Sequence, residues 1–520
     1  MSHLPTSVMD AANGYDTDPN DVEEDSPQYK TSHQIKQQLL RQLATEIHIV
    51  RSLDGEVAVI QSDLQWYATG LPHSTLSAVM RFIGVPEVWT AFFTKFLEAP
   101  LNMGPALENS TPGVRIRKRG IPIAHALEVF FGELVLFFMD LAVNQESSML
   151  LFRQHDDLWL CGPPKMCAKA WHAMQSFAKV MGVEFNKQKT GSVYSASGEK
   201  IEDEEVANSF PKGTVAVDFL QLSPETGNWV INEELVNAHV KQLQKQLTAC
   251  TSVLSWVQTW NSCIGRFFGA TFGEPANCLG RTHVDNILET HKRMQQFLFS
   301  GENGTAKSVA EHLKQWISQR FGFTDVPEVF LFMPEQFGGL GLRNPFNSLF
   351  LVHGQFPKTP EQKMQDFLKQ EREAYKAAKA TFDALGETGR RRRFRSIYPV
   401  GDGDSDSRQF RGGDLDGFMT FEDFTQWRES ESHPLWRVYK DLRGVPWKED
   451  VMLSADVKGA LHILSMSQPD LAPYKLDSEK KWIVQLHSVE LFQQCGGLTL
   501  VDKSLLPLGV LTVLKNRKVP

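Results

Sequence analysis

Three aspartates are the residues of this sequence whose type and placement best suit chemistry. Asp63 ends an apolar stretch, residues 56–63, that predicts a buried strand. Asp156 and Asp157 lie in a polar tip between two short apolar runs, a pattern that predicts a hairpin. Neighbouring carboxylates repel one another, and a bound divalent cation relieves that repulsion. If strand and hairpin are adjacent, the three carboxylates could hold two Mg²⁺ ions about 4 Å apart, the arrangement used for in-line phosphoryl or nucleotidyl transfer.

A solvated turn is the alternative interpretation of the aspartate pair. Two adjacent aspartates are common at hairpin tips, so the hairpin taken alone favours this simpler interpretation. The choice between the two depends on what surrounds the hairpin along the chain.

The elements that must position these aspartates alternate irregularly between helix and strand, which predicts an α+β fold with an antiparallel sheet. We expect helices at about 31–51, 76–97 (broken near Gly84 and Pro86), 124–143 and 166–181, and hairpin strands at 149–153 and 158–161. From about Asn232 to Gly322 the strand signals vanish and helical periodicity dominates. Trp256 and Trp260 in this stretch are four residues apart and are interpreted as helical core rather than as a platform for stacking bases.

Charge and composition leave a nucleic-acid partner open. The chain has 520 residues, with 62 acidic and 54 basic side chains and a net charge of -8. Residues 1–62 hold ten acidic and four basic side chains, so most of the excess negative charge lies in this N-terminal segment. Basic clusters occur elsewhere, and local fields matter more to a polyanion than the total charge. The clustered residues are Arg115, Arg117, Lys118, Arg119, Arg390, Arg391, Arg392, Arg393 and Arg395.

The same statistics predict an intracellular protein that does not cross a membrane. No apolar run reaches the roughly eighteen residues of a membrane span, and the acidic N-terminus does not have the chemistry of a signal peptide. The six cysteines include no CxxC pair, which indicates neither a disulfide framework nor a zinc site.

Five short motifs follow one another in an informative order. They are SDLQWYATGL after the first acid, Arg119-Gly-Ile-Pro122 before a long helix, the QHDD tip, GVEFNKQKTGS, and Asp218-Phe-Leu-Gln-Leu222. In this order the chain resembles the palm of reverse transcriptases, RNA-directed DNA polymerases, especially the group II intron and LINE-like branch and the chromosomal copies of fungi. The resemblance covers about residues 55–225 and, more loosely, a helical thumb that ends near 338–343.

The resemblance implies roles for the acidic residues. Asp63 and Asp156 would be the principal Mg²⁺ ligands, with Asp157 assisting, and Mn²⁺ could replace Mg²⁺. Lys189, from the Lys-Thr motif, would approach the incoming nucleotide as an electrostatic or acid partner for pyrophosphate. A strand-end lysine that only caps a turn is the alternative for Lys189.

The resemblance also implies a template and nucleotide surface. Gly120 and Pro122 would shape the template-side loop, and Arg119 with its basic neighbours would meet phosphates; a solvated loop is the alternative. At the position where the family carries an aromatic residue that excludes the ribose 2′-hydroxyl, this chain has Ala68. The adjacent Tyr67 could substitute for that aromatic residue if the loop is shifted by one residue.

Other positions depart from the family pattern. Ile123 and Ala124 replace the usual Gln-Gly, and His155 replaces a small or apolar residue. Only 62 residues precede Asp63, and few are cationic, so we expect reduced or missing fingers. A truncated chain, an incomplete gene model, or a relic that binds without polymerising would each account for this.

Together these observations predict a right-hand polymerase architecture in five parts. They are a disordered acidic tail (1–30), a palm with reduced fingers (31–225), a helical thumb (226–345), a charged helix with a basic flexible linker (346–413), and a mixed C-terminal extension (414–520). The Arg-rich linker is interpreted as a nuclear localisation signal, an RNA contact or a solvated linker. Residues 414–423 resemble half a calcium loop but are interpreted as a capped loop that leads into a helix.

The predicted activity is RNA-templated DNA synthesis with an RNA template, a DNA or RNA primer and dNTPs as partners. One alternative is a catalytically degenerate relative that binds nucleic acid or acts as a scaffold. The other is an RNA-templated RNA polymerase, for which Ala68 is the supporting feature.

Overall fold

The fold is α+β, as the sequence predicts. It was obtained as a computed structural model that describes residues 31–102, 113–123, 125–196, 203–299, 308–390, 392 and 417–501. The predicted acidic tail and most of the Arg-rich linker lie outside these ranges. Within the described residues, no helix has the length and apolar character needed to cross a membrane.

The first half of the chain contains the sheet that carries the aspartates. Its elements are α1 (Ser32–Asp54), β1 (Glu56–Asp63), α2 (Tyr67–Gly70), α3 (His73–Phe82), α4 (Glu87–Leu97), β2 (Pro100–Asn102), β3 (Val114–Ile116), α5 (Ala126–Ser147), β4 (Phe152–Gln154), β5 (Asp157–Gly162), α6 (Pro164–Met181) and β6 (Gly191–Ala196).

The four-stranded sheet is antiparallel, with strand order β4-β5-β1-β6. Strand β1 is central and has apolar residues on both faces. Ala58 and Ile60 join the core formed with α5 and α6, whereas Val57 and Val59 join the core formed with α1. The sheet therefore lies between two helical layers, and the end of β1 is held on both sides.

Helix α1 has well-defined ends that its sequence explains. The Thr31 side chain and Gln34 form a capping box at the N-terminus, and Gly55 adopts a left-handed conformation at the C-terminus. Its predicted apolar face is buried against the sheet. The apolar residues of that face are Ile35, Leu39, Leu40, Leu43 and Ile47.

Beyond the sheet the chain becomes helical, apart from one small sheet. The elements are α7 (Glu204–Ser209), β7 (Ala216–Val217), β8 (Leu220–Leu222), β9 (Trp229–Ile231), α8 (Glu233–Thr248), α9 (Val253–Trp260), a π-helix (Asn261–Phe268), α10 (Gly269–Thr271), α11 (Gly280–Phe299), α12 (Val309–Phe321), α13 (Glu328–Phe332), a 3₁₀ turn (Glu335–Phe337), α14 (Phe346–His353) and α15 (Pro360–Ala384). Trp256 and Trp260 are buried and stacked on each other at 5.7 Å, so the interpretation of this pair as core is confirmed.

The described part of the C-terminal extension, residues 417–501, is helical, and the prediction of a mixed structure is wrong for it. It contains α16 (Phe421–Thr425), α17 (Arg428–Glu431), α18 (His433–Arg443), α19 (Ala455–Ser465), a 3₁₀ turn (Pro469–Leu471), α20 (Ser478–Leu486) and α21 (Ser488–Cys495). Thr420 and Asp423 form a capping box at α16, as expected for a capped loop leading into a helix.

Candidate active site

The sheet brings the three predicted aspartates to one end. Asp63, the last residue of β1, lies directly opposite Asp157, the first residue of β5. The backbone N–H of Leu64 donates a hydrogen bond to the Asp156 carbonyl at 3.2 Å, which ties the end of β1 to the hairpin tip. The strand and the hairpin are therefore adjacent, which was the condition for a shared site.

The aspartates perturb one another electrostatically. Partial burial raises the pKa of Asp157 to about 6, with further contributions from the negative charges of Asp156 and Asp63 and from a hydrogen bond with Asp63. Burial also raises the pKa of Asp156; the nearby His155 and Lys189 act in the opposite direction. Three carboxylates in one partly buried place favour a cation that would offset their charge.

The loop that follows α6 supplies partners for Asp63. The side-chain amide of Asn186 donates to Asp63 Oδ2 at 3.1 Å, and Lys189 Nζ lies 3.3 Å from the same oxygen. The backbone N–H of Asn186 also donates to the Asp63 carbonyl at 2.7 Å. Asn186 belongs to the GVEFNKQKTGS motif, but sequence reasoning assigned it no role.

The types of these donors fit Mg²⁺, which prefers oxygen ligands and often uses one or two carboxylates. After burial, the negative charges of Asp156 and Asp63 also raise the pKa of Asp157, and such an ion would offset this repulsion. Across the part of the chain that the structure describes, however, no group of three or more His, Cys, Asp or Glu side chains is arranged to hold a metal ion. Metal binding by the three aspartates therefore remains a prediction.

A wide cleft of about 1780 Å³ borders the aspartates. Asp63, Asp156 and Glu184 contribute acidic groups to its wall. Cationic residues are more numerous along the same wall, and a polyanion could follow them. They are Arg119, Lys179, Lys187, Lys189 and Lys212.

The predicted template-side loop is hydrogen-bonded to the segment after Asp63. Arg119 donates to the carbonyls of Gly70 at 2.8 Å and Gly182 at 3.0 Å. Gly120 has φ of +79°, and a Cβ at this position would lie 2.2 Å from the Thr69 carbonyl oxygen, so glycine is required. Pro122 is half-buried beside this turn.

Tyr67 and Ala68 occupy different environments. Tyr67 lines the cleft, although its side chain is only 2% exposed and its hydroxyl donates to the Gly132 carbonyl at 2.8 Å. Ala68 is half-buried, and its carbonyl accepts a hydrogen bond from the Ile121 backbone N–H at 2.8 Å. Of the two, Tyr67 is the aromatic side chain near the site, and its role in sugar selection remains a prediction.

A polar network behind the hairpin is not evident from sequence reasoning. His155 Nδ1 pairs with Glu133 Oε1 at 2.9 Å, and Arg153 pairs with Glu133 at 2.6 Å and with Asp140 at 2.9 Å. Burial lowers the pKa of His155, but Glu133 and Asp156 outweigh this effect and raise the pKa above its usual value. The sequence carries a signal for this network, because Glu133 and Asp140 are seven residues apart on one face of a helix and only apolar residues lie between them.

The remaining predicted basic residues are dispersed. Arg115 and Lys118 are exposed, in and just after β3. Arg390 stacks on the Phe382 ring at 4.2 Å, while Arg391, Arg393 and Arg395 lie outside the described residues. Of the basic residues among these that the structure describes, Arg119 alone lines the cleft beside the aspartates.

Comparison with known proteins gives partial structural matches only. No protein-family model and no curated protein matches the chain. Among solved structures it is similar to a Candida tropicalis telomerase in complex with a TWJ fragment of telomeric RNA, with 12% identity and a TM-score of 0.30 over 64% of this chain and 52% of that chain. For the corresponding Candida albicans complex the values are 13% identity and 0.26, over 56% and 51%.

A structure of apo telomerase from Candida tropicalis gives 14% identity and a TM-score of 0.28, covering 50% of this chain and 46% of that one. The chain thus spans about half the length of these proteins. The structures named are telomerases, and they do not support the narrower likeness to group II intron or LINE-like proteins. The chain is similar in part to telomerases, and similarity of this degree assigns it to no family.

Proposed function

We propose that the protein is a nucleotidyltransferase that performs RNA-templated DNA synthesis at Asp63, Asp156 and Asp157. The observation that carries the proposal is the convergence of these three aspartates at one end of the sheet, beside a cleft whose charged wall residues are mostly cationic. The order of the five sequence motifs supports the same activity.

The chain's own residues have separable roles in this proposal. The three aspartates would hold two divalent ions, Mg²⁺ or Mn²⁺, which supply charge neutralisation for the attacking primer hydroxyl and the leaving pyrophosphate. Asn186 orients the Asp63 carboxylate through its 3.1 Å hydrogen bond. Lys189, 3.3 Å from Asp63, provides a positive charge where a triphosphate would enter.

The cationic wall would bind the template and primer backbones. Lys179, Lys187 and Lys212 line the same cleft as Asp63 and Asp156. Phosphate contacts of this kind position a nucleic acid without reading its sequence, and they weaken as salt rises. RNA and DNA strands are therefore the proposed partners.

Primer extension on poly(rA)/oligo(dT) with dTTP and either Mg²⁺ or Mn²⁺ tests the proposal. Asp156→Asn keeps the shape of the side chain but removes its charge, so we expect extension to fall at least a hundredfold with RNA binding retained. Asp325→Asn, at an exposed site away from the cleft, is the matched control and should extend normally. Equal extension by Asp156→Asn and wild type would refute the assignment of this site.

Two observations favour alternative functions. The Ile123-Ala124 pair, in place of the family's usual Gln-Gly, favours a relic that only binds nucleic acid. Such a relic would give salt-sensitive RNA binding without extension under either ion. An RNA-templated RNA polymerase, favoured by Ala68, would incorporate rUTP at least as well as dTTP in the same assay.

A further inference from the structure

The tip of the catalytic hairpin is anchored from behind by a side-chain pair. We propose that His155 and Glu133 are positioning residues that fix the turn carrying Asp156 and Asp157. The kinetic part of this inference rests on the proposed nucleotidyl transfer, whereas its structural part does not.

The backbone at the tip needs such an anchor. His155 has φ of +53°, a left-handed conformation that is unfavourable for a residue with a Cβ. Non-glycine residues in this conformation persist where the surrounding structure holds them. The next residue is Asp156, so the conformation of His155 sets the direction in which the Asp156 carboxylate leaves the turn.

The anchor consists of the His155 ring and helix α5. The ring is 15% exposed, and its Nδ1 lies 2.9 Å from Glu133 Oε1. The edge of the Tyr67 ring meets the same imidazole at a centroid distance of 5.6 Å. These contacts hold the ring between α5 and the segment that follows Asp63.

Helix α5 leaves room for the ring at a glycine. A Cβ on Gly132 would lie 2.5 Å from His155 Cε1, which real atoms do not tolerate. The helical backbone at Gly132 does not require glycine, and alanine is the better helix former. The ring of His155 thus accounts for the glycine at position 132.

The side chains of helix α5 that hold the turn also contact strand β4, which precedes it. Arg153, in β4, pairs with Glu133 at 2.6 Å and with Asp140 at 2.9 Å. Glu133 therefore holds both the turn, through His155, and the strand before it, through Arg153. His155 and Glu133 are absent from the cleft wall, so they act through the aspartates rather than on a substrate.

Substitutions at His155, Gly132 and Glu133 test the anchor without introducing backbone strain. In His155→Gly the left-handed conformation becomes acceptable, so we expect the protein to fold while the turn loses its anchor. Gly132→Ala should perturb the hairpin when His155 is present, because of the clash, and should be harmless in the double variant Gly132→Ala/His155→Gly. Glu133→Gln weakens the contact, and Glu146→Gln, exposed on the same helix, is its control.

Hydrogen exchange of residues 152–162 is the readout that does not depend on activity. We expect at least tenfold faster exchange in His155→Gly with little change in the melting temperature. In primer extension we expect kcat to fall at least tenfold while KM for dTTP and for primer–template stays within about threefold. Unchanged exchange in His155→Gly would overturn the proposal, as would faster exchange with an unchanged kcat.

If wild type extends no primer under any condition, the proposed function fails while the exchange measurement still decides whether the pair fixes the turn. A Gly132→Ala defect of equal size with and without His155 would show that the glycine serves another purpose and would also overturn the inference.

Discussion

Lys189 is a cationic side chain in direct contact with Asp63. Its Nζ lies 3.3 Å from Asp63 Oδ2, and its side chain is 61% exposed to the cleft. Asp63 is buried in this pair, with its side chain 10% exposed, whereas Lys189 keeps most of its side chain in solvent. The charge of Lys189 is therefore available to a phosphate group.

Replacing Lys189 by Gln should raise KM for dTTP about tenfold or more and change kcat less, because a charge that meets the triphosphate acts on nucleotide binding. Steady-state primer extension measures both constants. Lys187→Gln is the matched control, since Lys187 lines the same cleft two residues earlier without contacting Asp63. Equal effects of the two substitutions would show that only the general positive field matters.

The site residues differ in how far the sequence could predict them. Asp63, Asp156 and Asp157 could be selected because each acid stands at the end of an apolar run within a recognisable order of motifs. Glu133 could not be paired with His155, because their contact depends on how α5 packs behind the hairpin. Local patterns identify the acids, whereas tertiary packing determines what supports them.

Helix α11 carries two buried histidines, and these make the stability of the element depend on pH. Burial lowers the pKa of His283 to about 4 and that of His291 to about 4. Both pKa values lie below the pKa of about 6.5 that a histidine has in an unfolded chain. The stability that comes from keeping them neutral is fully present above about pH 6.5 and is lost as the pH falls towards 4.

We therefore expect acid to destabilise the helical region that contains α11. The free energy of unfolding should fall by on the order of 2–3 kcal/mol per histidine between pH 6.5 and 4. Urea unfolding monitored at several pH values measures this loss. The double variant His283→Gln/His291→Gln should be less stable at pH 7.5 and should show a much weaker dependence on pH. A pH dependence equal to that of wild type would show that other groups cause the acid sensitivity.

Several element boundaries could be predicted because local signals mark them. Thr31 with Gln34 and Gly55 mark the ends of α1, and β1 spans its predicted range. The first hairpin strand is shorter than predicted, because Ser148 ends α5 in a left-handed conformation and the chain pairs with β5 only from Phe152. The length of a strand depends on the strand with which it pairs. A local sequence pattern does not show where that pairing begins.

At the scale of the whole molecule, helix α18 of the C-terminal extension completes the core beneath the sheet. Leu435 and Leu442 of α18 are buried in the same core as Leu39 and Val57. The Tyr439 hydroxyl is hydrogen-bonded to Gln42 and Glu46 of α1. The partners of α18 are far away along the chain, so a local sequence pattern does not identify them.

Leu442→Ala should therefore destabilise the sheet by about 2–5 kcal/mol, the usual cost of removing a fully buried leucine side chain. Faster hydrogen exchange in β1 measures this effect. Leu461→Ala provides the matched control: Leu461 is equally buried, but its core contains no residue of β1. Unchanged exchange of β1 in Leu442→Ala would show that the sheet is stable without α18.

The central place of β1 in the sheet has a consequence for biosynthesis. Both hydrogen-bonding neighbours of β1, strands β5 and β6, are made later by the ribosome, and the second of them ends at Ala196. Until then a nascent chain carries β1 as an apolar strand with at least one unpaired edge, the kind of segment that aggregates. The completed helix α1 can cover one face of that strand while it waits, because both belong to the same core. The aspartate site thus cannot form before Ala196 has been made, and until then α1 can shield one face of β1 in the unfinished protein.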